Sequence, residues 1–319
     1  MINDFNITLA HCDADGVLCT ATYMVTQKAY TKSYFTTHAR LSSILNTIYE
    51  KDLQAKKIYI FDISGNRSSF EIALKFQRVI WIDHHIWDKE LIRDYLRPNI
   101  DLIVDSSEIS CTSLAAKHFG FNDFVEIANE IDRNQVVTPE ARRLRELISA
   151  IRLRVTSPHY LGLELTRLSR TISVKGIKEI NDSKYNDLLN NYYQWRKIAI
   201  EESIKSLECY KEKNLKIGVI LLKSQLPVHE ILEKLNTNEQ APFDILIFKS
   251  YHTKSPASPV QDKNGPTITT KLEFRTQSNF EVIKLAKFFG GGGHAYAGGV
   301  TVQSEVKDKE LINAINKLW

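Results

Sequence analysis

RVIWIDHHIWDKE, residues 78–90, decides how this chain is read. Its first half carries the apolar run Val79 to Ile82, of strand length. It breaks off into Asp83-His84-His85. Apolar runs that do not alternate with polar residues fit strands whose two faces are both covered. The same grammar recurs upstream. FNITLA runs into His11-Cys12-Asp13-Ala14-Asp15-Gly16, and KKIYIF runs into Asp62. Between these runs lie amphipathic stretches: GVLCTATYMVTQKAY, RLSSILNTIYEKD, SSFEIALKFQ and KELIRDYL. KSYFTT and DLIVD supply two more strands, and SCTSLAAKHF opens a helix behind Ser110. Strand–helix alternation of this kind predicts βαβ units and a parallel sheet.

Open parallel sheets bind ligands beyond the carboxyl ends of their strands. Here three strand ends deliver His11, Asp13 and Asp15, then Asp62, then Asp83, His84 and His85 to one edge. Asp132, in NEIDRNQ, is placed to reach the same edge from the helical region that follows. Crowded carboxylates repel one another unless a cation lies between them. Carboxylate with imidazole and no thiolate cluster suits Mn²⁺, Mg²⁺, Zn²⁺ or Fe²⁺. Paired ions in such sites are the usual apparatus for hydrolysing phosphate esters. An Asp after a strand is often only a helix N-cap. That reading serves as well for Asp62 alone; it does not serve for three strand ends at once. A calcium loop starting at Asp13 fails, because the twelfth position, where a glutamate is needed, is Met24.

The chain has 319 residues, enough for two domains, and its 43% hydrophobic and 25% charged content is ordinary for a globular protein. A net charge of +4 is compatible with a polyanionic substrate without demanding one. Cys12, Cys19, Cys111 and Cys209 form no CxxC pair, which points to a reducing, cytoplasmic setting. No apolar run is long enough for a membrane span, and the N-terminus lacks a signal-peptide pattern. The region 121–172 reads as mostly helical, and 183–213 as one long helix without Gly or Pro. The expected organisation is a catalytic domain over 1–175, a linker helix over 176–213 and a smaller α/β domain over 214–319. The segment 251–266 reads as a mobile polar loop whose Tyr251, His252 and Lys254 would either stack on bases or lie solvated.

In the last domain FFGGGGHAYAGG places four consecutive glycines, Gly290 to Gly293, before His294. Such a run lets backbone N–H groups form an anion-binding nest. Arg275, at the end of a predicted strand, offers a guanidinium for bidentate phosphate binding.

Taken in order, HCDADG (11–16), FDIS (61–64), IDHH (82–85), NEIDRN (129–134) and GGGGHAYAGG (290–299) resemble the DHH phosphoesterase family, in the subgroup with a DHHA1 C-terminal domain. The resemblance spans both predicted domains. It implies a parallel-sheet DHH domain joined by a long helix to a DHHA1 domain, with the active site in the cleft between them. It implies two Mn²⁺ ions, or Mg²⁺ or another divalent ion in their place. One ion would be held by Asp13 and Asp62 with His11 nearby, the other by Asp15, Asp62, His84 and Asp132. Asp83 would orient the imidazoles, His85 would face the scissile phosphate, and Arg275, Gly291, Gly292, Gly293 and His294 would hold the substrate. His11 stands two residues before Asp13, as in the RecJ-like and archaeal branches, which leans the substrate toward nucleic-acid ends. The expected activity is a metal-dependent exonuclease on single-stranded DNA or short RNA. The alternatives are a phosphatase or phosphodiesterase for small nucleotides, such as adenosine 3′,5′-bisphosphate or dinucleotides, and a nuclease-scaffold partner of a helicase or replication–repair complex. A homodimer is left open, and no membrane partner is expected.

Overall fold

The computed structural model describes residues 5–27, 31–52, 57–222, 226, 228–235, 242–254, 267–276, 278 and 280–319. The chain divides into two compact units, Met1–Tyr192 and Tyr193–Trp319.

The first unit opens with β1 (Asn6–His11), α1 (Ala14–Thr26), β2 (Thr31–Thr36) and α2 (Leu41–Lys51). It continues through β3 (Lys57–Phe61), α3 (Arg67–Ala73), β4 (Val79–Asp83), α4 (Lys89–Tyr95), β5 (Ile100–Val104) and α5 (Cys111–Phe119). Helices α6 (Val125–Asp132), α7 (Pro139–Arg154) and α8 (Pro158–Lys175) complete it. The five strands form one parallel sheet in the order β2-β1-β3-β4-β5. Both faces are covered, as the unbroken apolar strands require. Ile7, Leu9, Ile58, Ile60, Val79 and Trp81 pack with Leu41, Leu45 and Phe70. On the other face Tyr59 and Phe61 pack with Tyr23 and Phe119. Burying each such side chain contributes about 1.5–3 kcal/mol.

Helix starts follow local chemistry. Asp13 caps α1 by accepting from the Gly16 N–H, Ser110 caps α5, and Thr138 with Pro139 opens α7. The strand order reverses direction between β1 and β3, so these two carboxyl ends flank the switch point where α/β sheets bind ligands.

The division between the units falls within α9 (Asn186–Lys205). This helix is shorter than the predicted linker. Gly176 ends α8 at φ 85°, two 3-10 turns occupy Ile177–Asn181 and Ser183–Tyr185, and Glu208–Glu212 is strand β6. The reason is the turn at Lys213-Asn214. Both residues take positive φ (46° and 68°), which closes a two-residue hairpin onto β7 (Leu215–Leu221).

The second unit continues with α10 (Val228–Leu235), β8 (Ile245–Lys254), β9 (Thr267–Arg275), α11 (Ile283–Phe288), β10 (Gly292–His294), β11 (Ala297–Val302) and α12 (Asp308–Leu318). Its mixed sheet runs β10-β11-β9-β8-β7-β6, with only the β7–β8 pair parallel. Strand β8 extends through the start of the predicted loop. Tyr251, His252 and Lys254 pair there with Thr270, Thr269 and Thr267 of β9. They are ladder residues, because β9 supplies the hydrogen-bonding partner that makes extension favourable. Residues 255–266 lie outside the described part. Among the described residues no helix is long and apolar enough to cross a membrane.

Candidate metal centre

The first unit brings the strand-end residues together at one edge of its sheet. His11 closes β1, and its Nδ1 contacts the Asp13 carboxylate directly. Asp13 is the N-cap of α1, and Asp15 sits in that helix's first turn. Gly16 is required here, since a Cβ at this position would lie 2.1 Å from the His11 carbonyl oxygen. Asp62 follows β3 in the left-handed region (φ 58°), which Asp tolerates better than most side chains. Trp81 Nε1 donates to the Ile63 carbonyl at 2.8 Å and holds that turn from below.

Among the described residues, three groups each bring their ligand-type atoms within 4.8 Å of one another: His11, Asp13 and Asp62; Asp15, His84 and Asp132; and Asp62, His84 and His85. His84 Nε2 is 3.5 Å from Asp62 Oδ1, 3.5 Å from Asp132 Oδ2 and 3.9 Å from Asp15 Oδ2. Asp62 and His84 thus belong to two groups each. Asp132 reaches the edge from the last residue of α6.

The electrostatics are those of negative charge packed against itself. Burial, then the charges of Asp13, Asp15 and Asp132, push Asp62 well above the carboxylate range. Burial and the charges of Asp15 and Asp13 push Asp132 up to about 10, although 22% of its side chain reaches solvent. Burial also raises Asp15. Burial opposes ionisation of Asp13, but the charge and hydrogen bond of His11 outweigh it and hold that carboxyl below its usual range. Asp62 Oδ2, though buried, has no hydrogen-bond partner among the described residues. A buried carboxylate oxygen left unpaired costs free energy. A divalent cation bound here would satisfy it and cancel the repulsion among its neighbours. The oxygen and imidazole donor set therefore fits a hard or borderline metal ion.

The structure also shows residues that sequence reading did not single out. The carboxylate of Asp15 accepts from the backbone N–H of Cys111 (2.6 Å) and Thr112 (2.8 Å) and from the Thr112 hydroxyl (2.5 Å). The N-terminus of α5 is therefore filled by an acid of this same protein, which its dipole favours. Arg152 of α7 donates to the Cys12 carbonyl. Asp83, fully buried, uses both oxygens: Oδ1 meets His85 Nδ1 at 2.7 Å, and Oδ2 accepts from Trp87 Nε1 at 2.6 Å. The bond to Asp83 raises the pKa of His85. Trp87 belongs to the stretch 78–90, yet nothing in its spacing reveals a bond to a residue four positions earlier across a non-helical turn.

Trp87→Phe removes that N–H donor and leaves Asp83 Oδ2 buried and unpaired. The expected cost is about 1–3 kcal/mol of stability and, under the activity proposed below, roughly 10–100-fold in turnover, as for partners that orient the residues of a metal site. Metal content should stay unchanged. Thermal unfolding, metal stoichiometry and kcat measured on one preparation check all three.

The second unit treats its expected substrate residues differently. Gly290 (φ 84°) is the left-handed residue that ends α11. Its N–H bonds to the Lys287 carbonyl (3.0 Å), and that of Gly291 bonds to Ala286 (2.8 Å). This is a Schellman cap. Two of the four amides in the run are therefore already used within the chain. Gly292 and Gly293 pair with Gly299 and Gly298 in the β10–β11 hairpin. A Cβ at Gly293 would meet the Ala297 carbonyl at 2.4 Å. His294 pairs through its backbone with Ala297, and its side chain lies outside the described part. Arg275, at the end of β9, is held by Glu273 (3.0 Å) and the Phe274 carbonyl (2.9 Å). Its guanidinium already has an acidic partner, which a phosphate would have to share.

Fold and centre together define a divided α/β protein whose parallel-sheet unit carries a carboxylate–imidazole cluster suited to divalent cations. No known family's sequence profile matches the chain, and no curated protein does. Among solved structures, a pGpG-specific phosphodiesterase from Vibrio cholerae is similar over 98% of this chain and 97% of its own, at 14% identity and a TM-score of 0.57. At that identity the likeness is one of fold: a parallel-sheet α/β unit and a second α/β unit with a mixed sheet. CDC45 from Entamoeba histolytica overlaps less well (98% of this chain, 95% of its own, 11% identity, TM-score 0.44). So does an uncharacterised protein from Helicobacter pylori (98% of each chain, 16% identity, TM-score 0.38).

Proposed function

We propose that this chain is a divalent-metal-dependent phosphodiesterase that removes nucleotides from the end of single-stranded DNA or short RNA. The observation that carries the reading is the convergence of Asp13, Asp15, Asp62 and Asp132 with His11, His84 and His85 around a buried, unpartnered Asp62 oxygen. In this reading His11, Asp13 and Asp62 hold one ion, and Asp15, Asp62, His84 and Asp132 hold a second, with Asp62 shared. The ions, Mn²⁺ first among them, would supply an activated water and neutralise charge on the phosphate. His85, oriented by Asp83, faces the scissile phosphate and stabilises charge on its oxygens. Arg275, Gly291, Gly292, Gly293 and His294 contribute to holding the substrate's phosphate or terminal nucleotide.

A second reading, hydrolysis of linear dinucleotides, is favoured by the fold shared with the pGpG-specific enzyme. End-labelled DNA and RNA of graded length, two to twenty nucleotides, separate the two. A strand reading needs turnover that persists or rises with length; a dinucleotide reading needs it to collapse beyond the shortest substrates. Chelation should lower turnover to background, and Mn²⁺ or Mg²⁺ should restore it. The same ion should raise the unfolding temperature, since a ligand at 100 times its Kd adds about 2.7 kcal/mol. A metal-loaded protein inactive on every length would remove both readings.

A further inference from the structure

Helix α7 carries Arg142, Arg145, Ser149 and Arg152 at spacings of three, four and three residues. Residues so spaced share one side of a helix. Two of these arginines attach that side to the loops of the metal centre. Arg152 donates to the carbonyl of Cys12, between His11 and Asp13. Arg145 donates to Asn134 Oδ1 at 3.0 Å, two residues beyond Asp132. Arg142 is exposed at the far end of the row, and Arg133, directly after Asp132, is exposed as well. Glu146 lies one turn from Arg142 and offsets part of the charge. The opposite edge of α7 is occupied differently: Arg143 binds the Ile180 carbonyl and Asn186, and Arg154 pairs with Glu164.

We infer that this arginine row is a binding track for the phosphates of a single strand beyond the one being cleaved. The inference rests on the proposed phosphodiesterase activity and adds to it a subsite that selects for length. From Arg142 to Arg152 the helix rises about 15 Å, whereas a stacked strand carries one phosphate per roughly 3.4 Å of its axis. The row is longer than a dinucleotide's single internal linkage can use. Guanidinium groups bind phosphate oxygens bidentately. The pairing is independent of base, so the track reads charge and length and not sequence.

The test uses Arg142→Gln and the double variant Arg133→Gln/Arg142→Gln, both at exposed positions, with Arg154→Gln as the matched loss of charge off the row. The first readout is the ratio of kcat/KM for a twenty-nucleotide strand to that for a dinucleotide. The second is the salt dependence of binding of a labelled twenty-nucleotide strand in chelator, where no turnover intervenes. The double variant should lower the ratio about tenfold and reduce the slope of log affinity against log salt by about 0.7 for each phosphate that it no longer neutralises. Arg154→Gln should leave both at wild-type values. Equal effects from Arg154→Gln and the double variant, or none from either, would overturn the track. If the wild type binds the strand with the predicted salt slopes but cleaves no phosphodiester with metal present, the activity fails and the track stands.

Discussion

Asp62→Asn is expected to abolish turnover while making the metal-free protein more stable. Asparagine keeps the volume and tolerates the left-handed backbone at φ 58° that this position requires. What it removes is the cost of protonating a carboxyl that burial and the charges of Asp13, Asp15 and Asp132 push well above the carboxylate range, a cost the metal-free fold bears at neutral pH. Asp62 is 3% exposed, has an oxygen without a partner, and faces the charges of Asp13, Asp15 and Asp132. Relieving an uncompensated buried group of this kind is worth on the order of 1–3 kcal/mol, so chelated Asp62→Asn should unfold at a higher temperature than chelated wild type. With metal the ranking should reverse, because a candidate ligand oxygen is gone from a residue that belongs to two of the ligand groups. Turnover should fall by at least about 10³-fold, beyond the range typical of losing one charge-stabilising donor. Calorimetric unfolding with and without Mn²⁺, beside metal titration, reads both halves. A variant that binds metal as wild type does and still turns over would mean that the cluster is not the centre of the chemistry.

Gly16→Ala should be nearly as damaging, for a different reason. The new Cβ would sit 2.1 Å from the His11 carbonyl oxygen, a backbone atom at the end of β1 that cannot move aside cheaply. The first turn of α1 must back away from the sheet, carrying Asp13 and Asp15 with it. Asp15 is fixed at its other end by Cys111 and Thr112, so the displacement breaks bonds on one side or the other. Overpacking of this kind costs about 1–3 kcal/mol, and a displacement near 1 Å at a reacting centre lowers rates by roughly 10²-fold. Gly162→Ala is the control. It lies in α8, where a Cβ would meet nothing closer than 3.8 Å, and the substitution should stabilise the helix by about 0.5–1 kcal/mol. Turnover and unfolding temperature of the two variants, measured side by side, check both statements. Tolerance of alanine at Gly16 would show that the helix–strand contact does not set the carboxylates.

The glycine run illustrates a signal that sequence held and a competing one that obscured it. Gly290 after the amphipathic stretch FEVIKLAKFF is a helix stop, and the Schellman bonds of Gly290 and Gly291 carry it out. Four glycines in a row equally suit an anion-binding nest, and the two readings compete for the same residues. Strand β6 is the opposite case: Ser183 to Lys213 is helix-compatible at every position, and only the partner strand β7 makes the last residues extended. Arg275 likewise meets its acidic neighbour Glu273 because a strand places alternate residues on one face.

The sequence by itself determined that one unit is a parallel α/β sheet and that acids and imidazoles stand at the ends of β1, β3 and β4. Apolar runs, their period and the polar residue that stops them are local properties, and a linear text carries them. The tertiary structure alone decided what those residues do to one another. The order β2-β1-β3-β4-β5 makes β1 and β3 neighbours and so brings Asp13 to Asp62. Asp15 is gripped by amides 96 and 97 residues away. Contacts at such separations depend on chain closure and packing of the whole unit. No window of sequence contains the energy that forms them.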